Sequence, residues 1–114
     1  MKEDCLFCKI VAGQEKADVV YEDEKVMAFK DINPEAPVHL LIIPKKHIAT
    51  TMDLTVEDNN LVGHIYQTAK KIAKEQGFGE DGFRIVNNCN DDGGQIIYHI
   101  HYHLLAGEKL GKFS

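Results

Sequence analysis

The segment Tyr98-His99-Ile100-His101-Tyr102-His103-Leu104-Leu105 constrains this chain more than any other, because it places three of the six histidines within five residues at a spacing of two. Side chains on a β-strand alternate between faces, so a strand here puts His99, His101 and His103 on one side and Tyr98, Ile100, Tyr102 and Leu104 on the other. The apolar side demands a core, and the histidine side demands partners. Each neutral imidazole carries a donor and an acceptor, and burying three without partners is costly. A lone histidine on a strand is ordinarily structural or superficial; three in register beside a glycine loop favour chemistry.

The rest of the chain supplies a small mixed domain around that segment. With 114 residues, 44% hydrophobic and 27% charged, a single domain spanning 1–114 is expected. Leu6 to Ala12, ending at Gly13, reads as one or two helical turns. Val19 to Tyr21 and Val26 to Phe29 have the spacing of a hairpin, His39 to Ile43 reads as a third strand closed by Pro44, Phe83 to Asn87 as a fourth, and Ile97 to Leu105 as a fifth. Between them, Thr55 and Asp58 form a capping-box pattern ahead of Leu61, Ile65, Ala69, Ile72 and Ala73, with Gly77 as the stop, predicting a helix over Val56 to Gln76. Most links are too short for parallel crossovers, so the expected class is α+β with an antiparallel sheet.

Charge and composition exclude several function classes. The formal charge of -5 with scattered Lys and Arg offers no footprint for nucleic acid. The longest apolar run, Val38 to Pro44, is far short of the roughly 20 residues that span a bilayer, and Met1-Lys2-Glu3-Asp4 opens no secretory signal, so no membrane role and a cytoplasmic location are expected. Cys5, Cys8 and Cys89 in such a chain fit a reducing compartment, where Cys-x-x-Cys suggests metal or redox chemistry rather than a disulfide framework.

Two chemistries suit the histidine row. Zinc takes imidazole nitrogens in a tetrahedron, but same-face neighbours on a strand lie about 6.6 Å apart, so a straight row of three converges poorly on one ion. Phosphoryl transfer fits the length better, with the central imidazole as nucleophile and its neighbours holding oxygens. The preceding Asp92-Gly93-Gly94-Gln95 lets backbone amides approach an anion, though these are also ordinary turn residues.

The row His99-Ile100-His101-Tyr102-His103-Leu104-Leu105 resembles the histidine triad signature, alternating histidine and apolar residues, of the HIT superfamily of nucleotide-binding hydrolases and transferases. Ala28 to Pro34, Ala36 to His47, Arg84 to Asn88 and Asp92 to Gln95 resemble its HINT branch in order and spacing, so the likeness runs from about residue 5 to 106. It implies a HIT-like fold, a five-stranded antiparallel sheet with one long and one short helix that continues as a ten-stranded sheet across a homodimer. It implies a purine nucleoside phosphoramidase or nucleotidyl hydrolase cleaving AMP–amine bonds through a nucleotidyl-histidine. In that reading His101 attacks phosphorus, His103 holds a phosphate oxygen, and His99 and His39 complete the catalytic set. The amides after Gly94, at Gln95 and Ile96, bind phosphate; Asp31 takes the ribose hydroxyls; Phe7, Phe29, Ile32 and Leu41 line the base pocket; and Asn88 lies near the leaving group. Cys5, Cys8, His47 and His99 resemble a structural zinc site of microbial relatives, against which stand a redox pair or two inert buried thiols. No organic cofactor is implied.

Two departures from the branch bear on activity. Ile96 stands where a serine is common, and Lys109 to Ser114 lacks a tryptophan-containing ending. They motivate an alternative, a nucleotide-binding regulatory or scaffold protein with little turnover. A third reading makes the triad itself a zinc enzyme. His64 carries no implied role and is expected to face solvent.

Overall fold

The computed structural model describes residues 4–112. Cys5 caps a single short helix, α1 (Leu6–Val11), by accepting the Cys8 amide on its sulfur at 3.2 Å. The antiparallel hairpin follows as β1 (Val19–Glu22) and β2 (Val26–Lys30), and then β3 (Val38–Pro44), whose terminal Pro44 pairs with Val26 at the ladder's last position, where a missing donor costs least. Helix α2 (Asn59–Gln76) starts after a 3-10 turn at Val56–Asp58, so the expected helix is present with a tightened first turn. The Thr55 and Asp58 capping box forms, with the Thr55 amide donating to the Asp58 carboxylate at 3.0 Å, and Gly77 ends the helix at φ 83°.

The five strands form one antiparallel sheet in the order β1-β2-β3-β5-β4, with β4 (Arg84–Val86) at the edge and β5 (Tyr102–Ala106) inserted beside β3. Alternation then divides the sheet into two working faces. Val26, Ala28, Leu40, Ile42, Tyr102, Leu104 and Ala106 join Ile65, Ala69, Ile72 and Ala73 of α2 in the larger core. On the opposite face, Met27, Phe29, Leu41 and Ile43 pack against Phe7, Cys8 and Ile10 of α1. Because Leu41 pairs with His103 and His39 with Leu105, those two histidines stand on the α1 face.

The last strand is shorter than its sequence pattern predicts. It begins at Tyr102 rather than Ile97, so His99 and His101 lie in an irregular approach to the sheet. Competing hydrogen bonds account for this. The Ile100 amide donates to the Ile48 carbonyl at 2.6 Å, and the Gln95 side-chain amide donates to the Ala49 and Ile97 carbonyls at 2.8 and 3.1 Å. These bonds tie the approach to residues 48–49 instead of to the ladder. His64 is not simply solvated either: its Nε2 lies 2.7 Å from Asp23, a carboxylate that also accepts the Tyr21 hydroxyl and the Lys25 and Val26 amides, joining α2 to the β1–β2 turn.

Candidate functional site

On the α1 face, a cleft of about 660 Å³ is lined by Phe7, Ile10, Phe29, Asp31, Ile32, Leu41, Asn88, Gly94, Ile96, His101 and His103, among others. Ten of the residues expected at a nucleotide site thus converge on one hollow although they come from α1, β2, β3, β5 and the β2–β3 and β4–β5 connections. Phe7 forms its back wall, buried between Phe29, at 5.5 Å between ring centroids, and the ring of His101, at 5.2 Å. Ile32 and Ile96 stand out at its rim, 90% and 88% exposed. Leu6, Glu15, Lys16 and Ile97 also line it and had no marker in the sequence, since the first three read as ordinary helix or loop residues and Ile97 as the first residue of the expected last strand.

The hydrogen bonds assign a proton to each imidazole. Nδ1 of His101 lies 2.8 Å from the carbonyl of His99, which can only accept, so Nδ1 bears the hydrogen and Nε2 keeps a lone pair. His39 accepts the Glu35 amide on Nδ1 at 3.0 Å, so its own hydrogen sits on Nε2. That Nε2 is 2.9 Å from Nδ1 of His103 and 3.4 Å from the Asp31 carboxylate. His103 therefore accepts on Nδ1 and carries its hydrogen on Nε2. One ring thus offers a lone pair and its neighbour, 5.2 Å away between centroids, offers a donor.

Burial keeps both rings uncharged. It pushes His103 down to about 4, with the nearby His101 and His39 acting in the same direction and Asp31 opposing. His101 is lowered too, chiefly by burial, against the bond to the His99 carbonyl and the attraction of Asp31. Asp31, His39 and His103 have ligand atoms close enough for a cation. Yet a metal at Nε2 of His39 would force the hydrogen onto Nδ1, facing the Glu35 amide. The arrangement suits a shared proton better than an ion.

His99 does not line the cleft. It is fully buried, with Nε2 donating to the Pro44 carbonyl at 2.7 Å, which frees Nδ1 to face the opposite way. There Nδ1 meets His47 Nδ1 at 3.2 Å and the sulfurs of Cys5 and Cys8 at 3.3 and 3.5 Å, while Cys8 Sγ is 3.3 Å from His47 Nδ1. Zinc–sulfur bonds of about 2.3 Å and zinc–nitrogen bonds of about 2.0–2.1 Å in a tetrahedron separate ligand atoms by roughly 3.3–3.8 Å. These four separations match that cage within a few tenths of an ångström, and all four donors lie within 4.8 Å of one another. The carbonyl behind His99 also supplies the outer hydrogen bond that fixes a ligating imidazole. A straight row of three histidines could not have built this; the irregular approach before β5 is what turns His99 away from His101.

Gln95 and the phosphate amides need a correction of detail. Gln95 is buried, its side chain bracing the loop through Ala49, Ile97 and the Asn90 amide, and its own amide donates to the Asn90 carbonyl at 3.0 Å. It shapes the loop from behind; the Gly94 amide is likewise taken, donating to the Asp91 carbonyl at 2.9 Å, while Gly94 and Ile96 line the cleft on either side of Gln95. Asn88 donates to the Gly93 carbonyl at 2.7 Å and thereby closes the same loop. Sequence reasoning missed Asn87, whose side chain donates to the His101 carbonyl at 3.0 Å, because its partner lies across the sheet.

The family described as "Scavenger mRNA decapping enzyme C-term binding" matches residues 4–114. Among curated proteins, the chain is 46% identical over 111 residues to the purine nucleoside phosphoramidase of Escherichia coli K12, covering 97% of this chain and 93% of that protein. A solved HIT family hydrolase from Legionella pneumophila superposes with a TM-score of 0.93 at 53% identity, covering 95% and 96% of the two chains. A zinc-bound histidine triad family protein from Mycobacterium smegmatis superposes with a TM-score of 0.81 at 33% identity, covering 97% and 80%.

Proposed function

Because the chain belongs to the histidine triad family, we propose that it is a hydrolase of purine nucleoside phosphoramidates, acting as one domain over residues 1–114 with His101 as nucleophile. The observation that carries the reading is the proton assignment. His101 lines a nucleotide-sized cleft with an unprotonated Nε2, its other nitrogen being tied to a carbonyl. Attack by Nε2 forms a nitrogen–phosphorus bond as the bond to the amine breaks, and the amine leaves with a proton taken from water. Water then cleaves the nucleotidyl-histidine and releases the nucleoside monophosphate. The Nε2–H of His103 holds a phosphate oxygen, and His39 keeps it in that tautomer by donating to Nδ1.

Asp31 is assigned to the ribose hydroxyls, where a carboxylate accepts both, and Phe7, Phe29, Ile32 and Leu41 to the purine. Asn88, Gly94 and the amide of Ile96 are placed around the phosphate and leaving group, with Gln95 bracing their loop. His99 is assigned away from the chemistry, to the metal centre.

We assign Cys5, Cys8, His47 and His99 to a structural zinc ion, supported by their mutual distances. Zinc there would pin α1 to the approach before β5 and supply no chemistry to the phosphate. The free thiols Cys5, Cys8 and Cys89 suit a cytosolic setting, and among the described residues no helix is long and apolar enough to cross a membrane. Homodimerisation through α2 and the β4 edge is proposed from the family, supported by the half-buried β4 and the exposed Tyr66 on α2.

The test is acid-quench mass spectrometry after mixing with an adenosine 5′-phosphoramidate. One nucleotide should be found on the peptide containing His101; rapid turnover with no such adduct under any quench time refutes covalent catalysis. Measurable turnover also separates this reading from a scaffold with none, a reading whose best support is the apolar Ile96 at the cleft rim.

A further inference from the structure

The residue assigned as nucleophile lies one position outside the sheet's ladder. The last pair with β3 is Ile42 with Tyr102, and the last with β4 is Val86 with His103. Regular pairing therefore does not hold the backbone of His101 on either side, although its ring must be aimed to within a fraction of an ångström. Something else has to do so.

Asn87, the first residue after β4, reaches across with its side chain. Its Nδ2 donates to the His101 carbonyl at 3.0 Å, where a strand would have offered a main-chain amide. Its Oδ1 accepts the hydroxyl of Thr51, the first residue of the 3-10 turn Thr51–Asp53. Both ends of the amide are thus committed, which fixes its orientation. Thr51 ends the same stretch whose Ile48 carbonyl receives the Ile100 amide, so the chain before and after the ring is tied to one neighbouring segment. Neither Thr51 nor Asn87 lines the cleft.

We propose that Asn87 and Thr51 are positioning residues, a two-part brace that takes the place of the missing ladder and aims His101 at phosphorus. The proposal rests on His101 being the nucleophile. The carbonyl of His99 holds the ring through Nδ1, and the Asn87 amide holds the peptide on the far side of the same residue, so together they remove the backbone rotation that would swing Nε2 off line. Since the brace does not touch substrate, its loss acts on the chemical step and leaves binding alone.

Three variants test this. Asn87→Asp keeps size and the acceptor for Thr51 but turns a donor into a lone pair facing the His101 carbonyl. Thr51→Val removes the hydroxyl at constant shape, and Thr51→Ser restores it. Nucleotidylation in a single turnover, steady-state kcat and KM on an adenosine 5′-phosphoramidate, AMP affinity and melting temperature are measured for each. Misplacement of reacting groups by about 1 Å costs up to roughly 100-fold, so Asn87→Asp should slow nucleotidylation by about 10- to 100-fold with KM and AMP affinity within about twofold. Thr51→Val should lose a few-fold in kcat and Thr51→Ser about none. Wild-type nucleotidylation in Asn87→Asp overturns the proposal, as does a loss confined to KM or AMP affinity, or Thr51→Ser as slow as Thr51→Val. Thr51 is exposed, so its pair of variants decides the matter if Asn87→Asp does not fold. His101→Ala run alongside separates the two levels: turnover retained there removes the nucleophile assignment itself, whereas a normal rate in Asn87→Asp with an inactive His101→Ala removes only the brace.

Discussion

Four histidines of one chemical type are differentiated by what each ring nitrogen touches. A carbonyl beside Nδ1 leaves His101 a nucleophilic Nε2; a backbone amide donating to Nδ1 makes His39 a donor through Nε2; that donor in turn fixes His103; and His99 turns Nδ1 toward two sulfurs. His101→Ala should accordingly lose release of AMP from a phosphoramidate while calorimetry finds AMP affinity changed by less than a few-fold, because the pocket for base and ribose is built by other residues. Cys5→Ser should reduce bound zinc from about one ion per chain to well below that in protein purified without chelator; wild-type protein free of metal would remove the site. At this scale the sequence was informative wherever a residue's type and spacing carry its chemistry, as with His101, His103, Asp31 and the Cys-x-x-Cys pair. It was silent on Asn87 and Glu35, whose importance comes from a partner that only folding brings near. It misled on Gln95, a loop residue whose amide is already taken.

At the scale of elements, caps and turns were legible because their signals are local. The box at Thr55 and Asp58 and the stop at Gly77 fall where the spacing puts them. The final strand was not, because period two continues through residues 97–101 while the hydrogen bonds do not; the pull of Ile48, Ala49 and the Cys–His cluster outweighs the ladder. The β1–β2 turn carries a testable electrostatic clamp. Burial pushes the Asp23 carboxyl up, but the Lys25 and Val26 amides, the Tyr21 hydroxyl and His64 outweigh it and hold the group well below the usual carboxylate range. A carboxyl depressed in the folded chain is protonated first in the unfolded one. Its contribution to stability is therefore full above about pH 4 and is lost as the pH falls further. Asp23→Asn should thus lower the melting temperature at neutral pH, and the gap between variant and wild type should narrow steadily in acid.

For the whole molecule, the edge position of β4 is the feature the single chain leaves open. If β4 and α2 meet their counterparts in a second copy, light scattering on the purified protein should give twice 12.8 kDa, and a mass of one chain at working concentrations would exclude the ten-stranded sheet. The fold class and the two helices could be read from the linear pattern, since an antiparallel sheet with short links admits few arrangements. The pairing order could not, because it depends on β5 entering between β3 and β4. That order leaves a sheet with two unequal sides. One is packed against α2 by mostly aliphatic residues joined by Phe78 and Tyr102, where substitutions preserving bulk and greasiness can be absorbed by their neighbours. The other holds linked polar and aromatic contacts, with His99 meeting Phe7 and Cys8, and His39 meeting His103, each depending on a particular partner. Saturation mutagenesis of the chain should therefore divide along the plane of the sheet, permissive beneath and unforgiving above, with the boundary passing between consecutive residues of the same strand.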